Sequence, residues 1–113
     1  MEPSTELKAL YLRSCEAQSN GDYAFFERYF SKEDGVLAIG TDPAEWWSGY
    51  DTITRVFEAQ LKETDGIRGI PDTPLAYCHG SVGWVAGRST LKLPDGTEMT
   101  VRLTTVYKKE KDD

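Results

Sequence analysis

The chain has one histidine, two cysteines and two methionines in 113 residues, and 19 acidic residues outnumber 13 basic ones, for a net charge of −6. Each shortage excludes something. A lone His79, with Cys15 and Cys78 far apart, cannot assemble the usual multi-ligand site, so no metal is expected. The missing basic stripe argues against a nucleic-acid partner and equally against an anionic membrane surface. No apolar run follows a basic start, and none approaches the length of a membrane span, so neither a signal peptide nor a membrane partner is expected. There is no glycine-rich phosphate loop and no cofactor fingerprint, hence no cofactor is expected. The two thiols fit a cytoplasmic protein that keeps them reduced and packed as small hydrophobes.

What is present is ordinary for a folded protein: 39% hydrophobic and 28% charged residues, which argues against disorder. A chain of this length buries about two-thirds of its unfolded surface, enough for one core and a single domain over residues 1–113. Residues 4–19 read as a helix, because Leu7, Leu10, Tyr11 and Cys15 make one apolar stripe. Asn20-Gly21 stops it. Asp22 then caps a shorter helix carrying Phe26, Tyr29 and Phe30. "VLAI", 36–39, is a short strand. A third helix follows, with Ser48 and Asp51 at capping-box spacing and Ile53, Val56, Phe57, Gln60 and Leu61 on one face. "IRGIPDTP" reads as loop or irregular edge, since its prolines would spoil a central strand.

From Leu75 onward the pattern is β. "PLAYCHG" is a strand turning at Gly80-Ser81, and residues 82–93 and 97–108 form a hairpin. Pro94, Asp95 and Gly96 suit a type I turn followed by a left-handed bulge residue. That loop pairs Leu93 with Thr97, and counting gives the rest. Leu91/Met99, Ser89/Val101, Gly87/Leu103 and Val85/Thr105 share one face, expected beneath the helices. Lys92/Glu98, Thr90/Thr100, Arg88/Arg102, Ala86/Thr104 and Trp84/Val106 share the other. A one-residue slip would mix both faces.

Three helices and a short strand ahead of long antiparallel strands make an α+β order, with helices on one side of a curved sheet. "GDYAFFERYFS", "GTDPAEWWSGYDTITRVFEAQL", "GSVGWVAGRSTLKLPDG" and "VRLTTVY" together resemble the SnoaL-like proteins of the nuclear transport factor 2-like (ketosteroid isomerase-like) superfamily. The resemblance implies a cone-shaped fold enclosing a pocket, commonly in a homodimer. It also implies one more strand after "VRLTTVY", and that final strand is expected to be missing here. The isomerases' carboxylate base and tyrosine–acid pair map onto no positions of this chain.

Within that frame Trp46, Trp47, Tyr11, Phe57 and Met99 are the expected pocket residues. In extended backbone Trp46 and Trp47 point to opposite sides, one ring inward and the other outward. Asp42 and Glu45 flank them, and paired carboxylates near an apolar cavity can divide into acid and base; an Asp-Pro turn whose carboxylate bonds backbone N–H groups is the plainer reading. His79, the one side chain tuned near neutral pH, completes the catalytic candidates. Arg88 opposite Arg102 needs an offset, either an acid or an anionic ligand, and Trp84 on the same face suggests an interface with a second copy. Three functions stay open: binding a small, largely apolar molecule, proton abstraction next to a carbonyl in an isomerase- or cyclase-like enzyme, and a structural module with a filled pocket.

Overall fold

The computed structural model describes residues 1–40 and 42–110. It opens with β1 (Glu2–Pro3), too short to leave a periodic signature. Helix α1 (Thr5–Asn20) starts where the Ser4 hydroxyl accepts the Leu7 N–H at 3.1 Å. It ends at Gly21, whose φ of +67° lets its N–H turn back onto the Ala17 and Gln18 carbonyls. Asp22 caps α2 (Tyr23–Tyr29) as expected, accepting from the Phe25 N–H at 3.3 Å. Strands β2 (Leu37–Ile39) and β3 (Trp46–Ser48) then pair as a separate two-stranded sheet.

Helix α3 (Tyr50–Glu63) departs from expectation at its start. The cap position is Gly49, at φ +92° and with no side-chain cap, because Ser48 is held in the β3 ladder opposite Leu37. A serine fixed in a strand cannot also fold its hydroxyl over a helix end. The expected face does form, with Ile53 and Leu61 buried and Phe57 half-buried.

The large sheet joins β1, β4 (Arg68–Pro71), β5 (Leu75–His79), β6 (Val82–Lys92) and β7 (Glu98–Lys108), all antiparallel to their neighbours, with β1 on the outer side of β5. β6 is its spine. On one side β5 pairs with its first half and β4 with its second, while β7 follows its whole length on the other. The prolines of "IRGIPDTP" put the break between β4 and β5, an edge as expected. The hairpin register agrees at every pair counted from the turn, Leu91–Met99 and Arg88–Arg102 included. Gly96 sits at φ +90°, the Leu93 N–H meets the Thr97 carbonyl at 2.9 Å, and the Asp95 carboxylate accepts the Thr97 N–H at 2.8 Å.

Burial of the inner face is uneven. Gly83, Val85, Gly87 and Ser89 on β6 are buried, whereas Met99 and Leu103 on β7 are 51% and 52% exposed, contrary to expectation. The reason is helix placement. α1 packs on β4, β5 and β6, while α2 packs on α1 and α3, and α3 reaches β3. Two clusters result. Tyr11, Ala76 and Val85 pack with Leu7, Cys15 and Tyr107 under the sheet; Ala17, Phe26 and Leu61 pack with Phe30 and Phe57 between the helices. Among the described residues no strand follows β7, and its outer edge pairs with nothing.

Candidate functional site

The inner face of the sheet converges on a small polar cluster inside the apolar one. Tyr11 projects from α1 until its ring lies against the backbone of Gly87, and it is 1% exposed. The Ser89 and Cys15 side chains lie beside its hydroxyl, and the phenol of Tyr107 lies near them. Burial raises the pKa of Tyr11, and it raises that of the Cys15 thiol. Burial also pushes Tyr107 up to about 12. All three groups therefore stay protonated near neutral pH: they can donate hydrogen bonds but cannot serve as bases there. Nothing in the sequence marks Ser89, Cys15 and Tyr107 as one site. The shared face of the two strand residues is legible from the register, but convergence on Tyr11 requires the packing of α1.

The tryptophan stretch divides as the extended backbone requires. Trp46 faces outward, 63% exposed, beside Ile39 at 62%. Trp47 is half-buried opposite Ala38. Asp42 and Glu45 close the loop between the two strands. The Asp42 carboxylate accepts the Ala44 N–H at 2.8 Å, and the Asp42 N–H donates to the Glu45 carboxylate at 2.9 Å. Both acids thus serve backbone donors. Among the described residues every Asp and Glu is exposed except Glu45, which is half-buried, so no carboxylate lies among the inner tyrosines. His79 is exposed at the end of β5, next to the Gly80-Ser81 turn.

On the outer face, Trp84 and Tyr77 stack with ring centroids 5.3 Å apart. Arg88 and Arg102 stand opposite each other, exposed, with no ion pair among the described residues. They border an open groove of about 620 Å³ with Asp72 and Leu75. A second open groove, of about 770 Å³, runs between residues 32–35 and the start of α3. Neither contains Tyr11, Trp46, Trp47, Phe57 or Met99. The structure therefore scatters the expected pocket residues. Tyr11 floors the sheet cluster, Phe57 joins Phe26 and Phe30 (centroids 5.4 and 4.7 Å away), and Met99 lies open on β7. No group of three metal-ligating side chains occurs among the described residues, and no helix there is long and apolar enough to cross a membrane.

Set against known proteins, residues 7–113 match the family model described as SnoaL-like domain. None of the curated proteins matches the chain. Among solved structures, it is similar to an NTF2-like protein of unknown function from Pseudomonas putida KT2440, with a TM-score of 0.80 at 15% identity over 96% of this chain and 80% of that one. It is also similar to an NTF-2 like protein of unknown function from Shewanella oneidensis MR-1, with a TM-score of 0.69 at 19% identity over 92% and 85%. A third is a Streptomyces avermitilis protein of the NTF2-like family, provisionally described as a dehydratase, with a TM-score of 0.74 at 15% identity over 91% and 82%. At these identities the likeness establishes the fold alone.

Proposed function

The chain belongs to the SnoaL-like domain family, and from that premise we propose that it binds a small, largely apolar molecule against the inner face of β7. One observation carries the reading. Met99 and Leu103 are half exposed on the very face whose β6 half, Val85 to Ser89, is buried. Apolar side chains on the concave side of a sheet are the usual lining of a ligand site. The adjoining hydroxyls of Tyr11, Ser89 and Tyr107 are donors held neutral, suited to one carbonyl or hydroxyl oxygen on an otherwise apolar ligand.

Proton abstraction finds less support, because no described carboxylate lies among the inner tyrosines and His79 is exposed, and simple ketosteroids should not be isomerised. Two further parts of the reading rest on the outer face and the thiols. Leu75, Val82 and Val106 are 60%, 48% and 76% exposed around the Trp84–Tyr77 stack, a face suited to a homodimer, whose acids or an anionic ligand would offset Arg88 and Arg102. Both cysteines are free, in keeping with a reducing, cytoplasmic location.

Nile red, a neutral apolar dye, tests the binding site. Its fluorescence should rise with the wild-type chain, fall by more than fivefold in apparent affinity with Leu103→Lys, and persist with Val106→Lys on the outer face, away from both grooves. Loss with Val106→Lys, or indifference to Leu103→Lys, would refute the inner-face site.

A further inference from the structure

Strand pairing sets Asp72, Arg88 and Arg102 in one row across the outer face of the sheet. Arg88 and Arg102 are directly opposite each other. Asp72 continues the β4 register one residue past Pro71, and its N–H donates to the Arg88 carbonyl at 2.9 Å. Because the Leu93 N–H bonds the Thr97 carbonyl, β6 and β7 exchange hydrogen bonds at their odd-numbered residues, so Arg88 and Arg102 form a non-hydrogen-bonded pair. The Cα atoms of such a pair lie about 4.5 Å apart, the spacing that brings opposing side chains closest. Two guanidinium groups are thus rooted side by side, both exposed and without an ion pair among the described residues.

Like charges so placed repel. Asp72 offsets one of the two, which leaves a single net positive charge in the row. The same three residues line the open groove of about 620 Å³, and the next row within it is largely apolar: Leu75, 60% exposed, then Ala86 and Thr104. Two residues of strand, about 7 Å, separate the charged row from the apolar one. We propose that this groove binds a small monoanionic carboxylate with an apolar body. The carboxylate bridges Arg88 and Arg102, and the body lies on Leu75 and Ala86.

Charge and shape select that class. Guanidinium groups present paired N–H donors that match the two oxygens of a carboxylate. A dianionic phosphate exceeds the single net charge of the row, meets Asp72, and is repelled by a chain that carries −6. Of the two offsets named above for these arginines, an acid of a second copy or an anionic ligand, the groove favours the ligand, because it provides space and apolar surface beside the charges. The site extends that outer-face reading and stands whether or not the inner face binds an apolar molecule. It uses side chains of the outer face and none of the backbone along the outer edge of β7.

Isothermal titration with hexanoate, hexanol and inorganic phosphate tests it. Hexanoate should bind more tightly than hexanol, which has the body without the charge, and more tightly than phosphate, which has the charge without the body. Its affinity should fall as salt rises. Arg88→Gln and Arg102→Gln should each weaken hexanoate by about fivefold, the loss of one exposed charge-assisted contact. Asp72→Asn should tighten it by about threefold, as removal of a like charge roughly 7 Å away in water implies, and no folding defect imitates a gain. Leu75→Ser should weaken hexanoate and leave acetate unchanged. Both arginine variants should keep the wild-type urea midpoint or exceed it, and should keep the Nile red response of the inner face, so that failure of one site is read separately from failure of the other. Hexanoate held no tighter than hexanol, phosphate held tighter than hexanoate, indifference to either arginine or to Asp72, or no binding at millimolar hexanoate because a second copy covers the groove would each overturn the proposal.

Discussion

Gly87→Ala probes the filling of the space under β6, which bears directly on where a ligand can lie. A Cβ placed at Gly87 would stand 2.5 Å from Cζ and 2.8 Å from Cε1 of Tyr11, and closer still to its hydroxyl. Tyr11 is 1% exposed and packed with Ala76 and Val85, so its ring has nowhere to retreat. Overpacking of this kind costs about 1–3 kcal/mol, while replacing glycine by alanine returns about 0.4–1 kcal/mol through the unfolded chain. The net expectation is a loss of roughly 1–2 kcal/mol. Gly69→Ala is the matched control: its Cβ would meet Leu91 at 3.5 Å and Ser19 at 3.8 Å, ordinary contacts, so that change should be neutral or slightly stabilising. Tyr11→Phe removes the nearest atom but leaves the ring carbons, so the pair Y11F/G87A should cost less than the sum of its parts without returning to Y11F alone. Urea denaturation of the five chains, at constant m-value, measures all of this. If Gly87→Ala matches Gly69→Ala, Tyr11 does not fill the interior as described, and the ligand site would have to be redrawn to include that space.

The tryptophans should respond unequally: Trp47→Ala is expected to cost about 2–3 kcal/mol, the low end for a large ring because it is only half-buried, and Trp46→Ala less than about 1 kcal/mol. Equal losses in chemical denaturation would contradict the inward and outward placement of the two rings. Tyr107 should make stability depend on high pH. Its folded pKa of about 12 lies above its ordinary value near 10, so its contribution is complete below about pH 10 and is lost as pH rises towards 12. Two pKa units would correspond to about 2.7 kcal/mol, and partial solvent access reduces that to roughly 1–2 kcal/mol. Tyr107→Phe should flatten this slope in denaturation series followed from pH 9 to 12, and an unchanged slope would assign it to other tyrosines.

Local chemistry made much of this protein legible without coordinates. The helix stop at Gly21, the Asp22 cap, the edge at the "IRGIPDTP" prolines and the full register of the β6–β7 hairpin all depend on residues adjacent in sequence, whose turn geometry and alternation leave one solution. The opposite sides of Trp46 and Trp47 followed from strand backbone for the same reason. Other features depended on partners distant in the chain. Ser48 had capping-box spacing, yet the ladder with Leu37 claimed it first. Met99 and Leu103 had the right alternation for a core face, but burial needs a covering element, and alternation cannot say that α1 packs on β4, β5 and β6 rather than on β7. The inner cluster of Tyr11, Cys15, Ser89 and Tyr107 joins a helix to two strands, contacts that exist only once α1 lies across β6. Sequence spacing determines which face a side chain occupies; tertiary packing decides whether that face is buried, left to a ligand, or offered to a second chain.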